Sequence, residues 1–122
     1  MTKNPITVDA NMTLYQLVEE FFFRKRFHSF PVLEGESPVG FIYIGELKHI
    51  PRERWNDTKI KDVMDTEIMQ FALHPDDDAI KALNVMLRSG KGRIPIVRDG
   101  QLVGLVSRQD ILNYLNVRID LG

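Results

Sequence analysis

The chain has 122 residues and carries 16 Lys plus Arg against 17 Asp plus Glu, a formal net charge of -1, so no net basic field draws it onto nucleic acid or an anionic membrane surface. With 43% hydrophobic and 27% charged residues it has the make-up of an ordinary folded protein, long enough for one compact unit or two small halves that share a core. Cysteine is absent, which removes disulfides, thiolate nucleophiles and zinc–cysteine sites and makes a reducing, cytoplasmic setting the expectation.

The opening Met1-Thr2-Lys3-Asn4 does not read as a signal peptide. A short strand, "ITV" (6–8), leads to Thr13, which stands where an N-cap belongs, and to Leu14, Leu17, Val18, Phe21 and Phe22 at helical spacing. The run Phe21-Phe22-Phe23 is flanked by charges, so nothing approaches the ~20 apolar residues of a membrane-spanning helix. Two apolar runs, "FPVL" and "VGFIYI", then flank a turn placed at Glu34-Gly35, and a second helix is expected after them.

The stretch "HIPRERWNDTKIKD" (49–62) reads as a connector, and beyond it the series recurs. "MQFAL" supplies a leading strand, Asp78 an N-cap, and Ala79, Ala82, Leu83, Met86 and Leu87 a helical stripe closed by Gly90 as a left-handed C-cap. "IPIV" and "LVGLV" flank Asp99-Gly100, a strong hairpin signal. A last helix begins at Arg108, with Ile111, Leu112 and Leu115 assigned to one face.

The recurrence is a duplication. "SFPVLEGESPVGFIYIGEL" (29–47) lies over "RIPIVRDGQLVGLVSRQDI" (93–111) without a gap, pairing Pro31 with Pro95 and Val39-Gly40 with Val103-Gly104. Upstream, "LYQLVEEFF" lies over "AIKALNVML", and Met1-Thr2 falls over Met64-Asp65. A β-α-β-β-α copy of this size buries too little surface alone. The expected fold is therefore α/β, two such repeats packed sheet to sheet with pseudo-twofold symmetry.

In "GLVSRQD" (104–110), Ser107 and Asp110 are three apart. They can form a capping box, in which each side chain bonds the other's backbone N–H. The same spacing can serve a ligand, since a helix N-terminus favours phosphate and a carboxylate one turn on can accept from ribose hydroxyls. "HPDDDAI" sets His74 beside Asp76, Asp77 and Asp78. Acids ahead of a helical stripe are expected as caps, and no evenly spaced oxygen-ligand loop follows. His28 and His49 lack a nearby ligand set, and no P-loop, H-E-x-x-H or supported Ser-His-Asp order occurs, so no catalysis is expected.

Two β-α-β-β-α copies, each with "[F/I]-P-[V/I]" on one strand and "V-G" followed by apolar residues on the next, resemble a tandem pair of cystathionine-β-synthase-type (CBS) domains over essentially the whole chain. The likeness implies repeat 1 at 1–50, a linker at 51–62 and repeat 2 at 63–122, together one compact module. "LVEEFFFRKRFHSFPV" (17–32) and "LKHIPRERWNDTKIKDVM" (47–64) are similar to the regulatory CBS pair attached to site-2-type intramembrane zinc metalloproteases. That likeness implies an excised soluble regulatory part, its effector lying in cis or in trans, without direct membrane insertion.

The family's nucleotide motif, G-h-x-[T/S]-x-x-D with h apolar, is matched by Gly104, Ser107 and Asp110. The resemblance implies that Arg93 faces the phosphates, with Lys91, Arg108, Ile94 and Pro95 beside it. It implies further that "MDTEIMQF" lines the base pocket through Asp65, Thr66, Met69 and Phe71. The implied regulatory ligand is an adenine nucleotide or another adenosine-containing molecule such as S-adenosylmethionine, with no required cofactor and no metal. The first copy departs from the motif with Gly40, Tyr43 and Glu46, and with Ser29 for Arg93, so its cleft is expected to be empty or altered. CBS pairs commonly dimerise; a homodimer is implied, and the faces of "LVEEFFF" and the final helices are its candidate surfaces. A ligand-free docking domain is the alternative function.

Overall fold

The computed structural model of the chain describes residues 1–21 and 28–121. Phe22, which the sequence assigns to the first helical stripe, and Phe23, which shares the expected self-association face with it, lie outside the described residues. In chain order the strands and α-helices are β1 (Thr2–Lys3), β2 (Val8–Asp9), α1 (Leu14–Phe21), β3 (Ser29–Glu34), β4 (Ser37–Tyr43), α2 (Ala79–Ser89), β5 (Arg93–Arg98), β6 (Gln101–Ser107) and α3 (Arg108–Leu121). Short 3-10 turns lie between β4 and α2. The chain divides into two units, Ile6–Glu67 and Met1–Pro5 with Ile68–Gly122.

In the unit of residues 6–67 the sheet order is β2-β3-β4. Val8 pairs in parallel with Val32, and β3 and β4 form an antiparallel hairpin. Thr13 and Gln16 open α1 with reciprocal side-chain-to-backbone bonds of 3.0 and 3.1 Å, a capping box. Leu14 and Leu17 drop from the helix into a core with Val8, Phe30, Val32, Ile42 and Leu47. Residues 51–62 return to this unit: Ile60 is fully buried, and its amide donates to the Met12 carbonyl.

In the other unit the order is β1-β6-β5, and Leu73 bridges Ile96 in parallel on the far side of β5. Of the predicted strand "MQFAL" only Leu73 is extended in this way; Glu67–Phe71 form a 3-10 turn. Asp78 caps α2 through the Lys81 amide, and Gly90 ends it at φ 73. The core comprises Leu73, Ala82, Val85, Met86, Ile94, Ile96, Val106 and Ile111. Each of its Leu, Ile, Val and Met side chains contributes about 1.5–3 kcal/mol when fully buried.

Two stripe assignments are corrected. Leu87 is 73% exposed and Leu112 46% exposed, while Val85, outside the predicted stripe, is buried. Each exposed leucine directly follows a buried residue, Met86 or Ile111, and a step of one residue turns the side chain about 100° away from the core. The first turn also shifts. Its two central residues are Gly35 and Glu36, between paired Glu34 and Ser37. Only Gly35 has a positive φ, 63°, which suits a II′ turn, whereas Asp99 and Gly100 both have positive φ, the I′ pattern.

The hairpins repeat in detail. Pairing runs from Ser29↔Tyr43 to Glu34↔Ser37 and from Arg93↔Ser107 to Arg98↔Gln101, with the register shift after Val32 in one and after Ile96 in the other. Strands β4 and β6 also share the same burial pattern, exposed at the turn and buried at three consecutive positions toward the other end.

Candidate functional site

The site is built where β6 ends and α3 begins. Ser107 is directly opposite Arg93 across the hairpin, so both side chains project from the same face of the sheet. The Arg108 amide donates to the Gly92 carbonyl at 2.9 Å, tying the start of α3 to the loop before β5. Arg93, Ser107, Arg108 and Asp110 are thereby gathered at one end of the hairpin. The Lys91 amide donates to Ser89 Oγ at 3.1 Å, which orders the turn preceding Arg93.

Ser107 and Asp110 form the capping box. The Ser107 N–H donates to Asp110 Oδ2 at 2.8 Å, and the Asp110 N–H to Ser107 Oγ at 3.1 Å. Asp110 Oδ1 is 3.3 Å from the Met1 ammonium. Partial burial opposes ionisation of Asp110, but the Ser107 amide and side chain and then the Met1 ammonium outweigh it and hold the carboxyl below its ordinary range. An ionised, oriented carboxylate at the first turn of a helix can accept hydrogen bonds from vicinal hydroxyls. The nearby guanidinium supplies charge for an anion.

The other sequence candidates separate into distinct surroundings. Ile94 is fully buried and Pro95 nearly so, both inside the second unit's core or against it, and the Pro95 carbonyl already accepts from the Leu73 amide at 2.9 Å. Phe71 packs on the same core, and Met69 is half-buried in the adjoining 3-10 turn. Asp65 and Thr66 fall in the unit of residues 6–67. There Asp65 exchanges two backbone hydrogen bonds with Phe41, at 2.9 and 2.8 Å. Its carboxylate accepts from the Tyr43 hydroxyl at 2.9 Å.

Gly104 has a structural duty beside its place in the motif. A Cβ there would come within 2.8 Å of the Thr2 carbonyl oxygen, and one on Gly40 within 2.6 Å of the Asp65 carbonyl oxygen. Each glycine lets a neighbouring backbone approach its strand. Those neighbours are what the sequence reading missed. Thr2 pairs with Leu105 and Asp65 with Phe41, so the segment preceding each copy edges the sheet of the other. The alignment of Met1-Thr2 with Met64-Asp65 carried the signal.

In the first copy the equivalent place is built differently. Tyr43 makes no side-chain cap, and Ile44–His49 form a 3-10 helix in place of an α-helix. Around His74 the acids serve the start of α2: Asp78 accepts from the Lys81 amide at 2.9 Å. Asp77 accepts from the His74 amide at 2.8 Å and from Lys81 Nζ at 3.1 Å, contacts that hold its carboxyl below the ordinary range. Among the described residues no group of three or more His, Cys, Asp or Glu could hold a metal ion, and no helix is long and apolar enough to cross a membrane.

The CBS-domain family model matches residues 1–53 and 60–117. An uncharacterized protein of Methanocaldococcus jannaschii is 30% identical over 90% of this chain and 36% of its own length. A zinc metalloprotease of the same organism is 26% identical over 96% of this chain and 31% of its own length. The chain thus spans about a third of the curated relatives it matches. The CBS domain of a bacterial CNNM/CorC family Mg2+ transporter, solved in complex with ATP, superposes with a TM-score of 0.83 at 19% identity, covering 95% of this chain and 83% of that one.

Proposed function

This chain belongs to the CBS-domain family as a tandem pair, a regulatory module, and on that premise we propose that it senses an adenosine-containing nucleotide through its second repeat. Asp110 takes the ribose hydroxyls. Ser107, Arg93 and Arg108 meet the phosphates, with Lys91 at the margin, and Met69 and Phe71 lie toward the base. The observation that carries the reading is the pairing of Arg93 with Ser107 at the start of α3, next to the ionised Asp110. The ATP complex of the similar transporter domain supports the ligand class.

Binding regulates only if the ligand favours one conformation of the module over another. The effector we propose is a membrane zinc metalloprotease, in cis or in trans, supported by the metalloprotease relative. Isothermal titration of ATP, ADP, AMP and S-adenosylmethionine is the direct test. One of them should release heat, and Asp110→Ala should weaken that binding at least tenfold while a melting curve confirms the fold. Silence with all four, or unchanged affinity in the variant, removes the site.

Self-association is a companion reading. Ile80 and Leu87 on α2 and Leu112 and Tyr114 on α3 are exposed. Sedimentation with and without nucleotide measures it.

A further inference from the structure

We infer that the module takes one ligand per chain, because the first copy occupies its own equivalent position with Tyr43 and Asp65. In naming the ligand class this rests on the reading above; the closure itself is a matter of this chain's own side chains. Tyr43 stands in the alignment where Ser107 stands, and its hydroxyl donates to Asp65 Oδ2 at 2.9 Å. Asp65 cannot drift from that position easily. Its backbone is held to Phe41 by bonds of 2.9 and 2.8 Å, and the approach is so close that a Cβ on Gly40 would meet its carbonyl oxygen at 2.6 Å.

Three chemical changes accompany the closure. The capped α-helix start that suits a phosphate is replaced by the uncapped 3-10 helix Ile44–His49. Arg93 is replaced by Ser29, which is 5% exposed. Asp65 brings a carboxylate to the place where the second copy has Thr2, and a carboxylate repels a phosphate. The first copy therefore has a bulky phenol where the second has a small hydroxyl, lacks the second copy's cation, and adds an acid in the place of Thr2.

The test reads stoichiometry by isothermal titration with ATP and AMP. The wild-type chain should bind one equivalent, weakened at least tenfold by Asp110→Ala; two equivalents overturn the inference and leave the second-repeat reading in place. The triple variant Tyr43→Ser, Glu46→Asp, Asp65→Thr rebuilds the S-x-x-D box in the first copy and removes the acid, and should gain one equivalent over wild type. No gain in the folded variant overturns the inference. A silent wild type with a binding variant sinks the second-repeat reading but supports the closure, and silence in both sinks both. Tyr43→Ser with Asp65→Thr is carried in parallel in case the triple variant does not fold, with the same gain expected and the same absence of gain decisive.

Discussion

Asp110 closes the start of α3, and its carboxylate stays ionised at the rim of the proposed site. Its carboxyl is held below the ordinary value of 3.8. Because the folded value is the lower one, its contribution to stability is complete above the unfolded value and is lost as pH falls through the folded value. The stability gap between wild type and Asp110→Asn should therefore shrink as pH is lowered from 6 through about 3.9 and below. Urea denaturation across that range checks this, and a constant gap refutes it. Spacing alone disclosed Ser107 and Asp110, since a capping box is a local pattern. The partner of Asp65 was not legible, because Tyr43 lies 22 positions away and no local pattern specifies a contact at that range.

At the level of elements, the hairpins and the two capped helices α1 and α2 were legible from turn residues and hydrophobic period. The helix expected after the first hairpin was not realised as an α-helix. Tyr43 offers no side-chain cap, and Gly45 sits inside the segment, costing about 1 kcal/mol relative to alanine in a helix. Gly40 and Gly104 are where two backbones meet. Gly104→Ala places a methyl group 2.8 Å from the Thr2 carbonyl oxygen, which predicts a loss of about 1–3 kcal/mol from overpacking. Gly45→Ala, with nothing within 4 Å, is the control and should not destabilise. Denaturant titration separates them, and equal stability of the two variants contradicts the close approach.

The chain's largest departure from the order of its sequence is the exchange of leading segments, by which residues 1–5 join residues 68–122 as one unit. Removal of residues 1–4 strips the β1 edge from β6 and should speed amide exchange in β6 several-fold, with β3 and β4 unaffected. Hydrogen exchange with mass or NMR readout measures it; uniform acceleration, or none, contradicts the assignment of β1 to β6. Residues 51–62 carry the same lesson. The sequence places a connector there, yet Ile60 is fully buried, and its truncation to alanine should cost about 2–5 kcal/mol.

By itself the sequence determined the duplication, both hairpins, the helix starts at Thr13 and Asp78, the asymmetry between Ser107-x-x-Asp110 and Tyr43-x-x-Glu46, and through these the family. Those features are written in spacings of two to four residues, or in one alignment of the chain against itself, and chain stiffness and hydrogen bonding act at that range. Only the tertiary structure decided which edge Thr2 and Asp65 join, which leucines face water, and that Tyr43 closes on Asp65. A strand edge accepts any backbone that reaches it, so its partner is selected by packing over the whole chain and leaves no local mark.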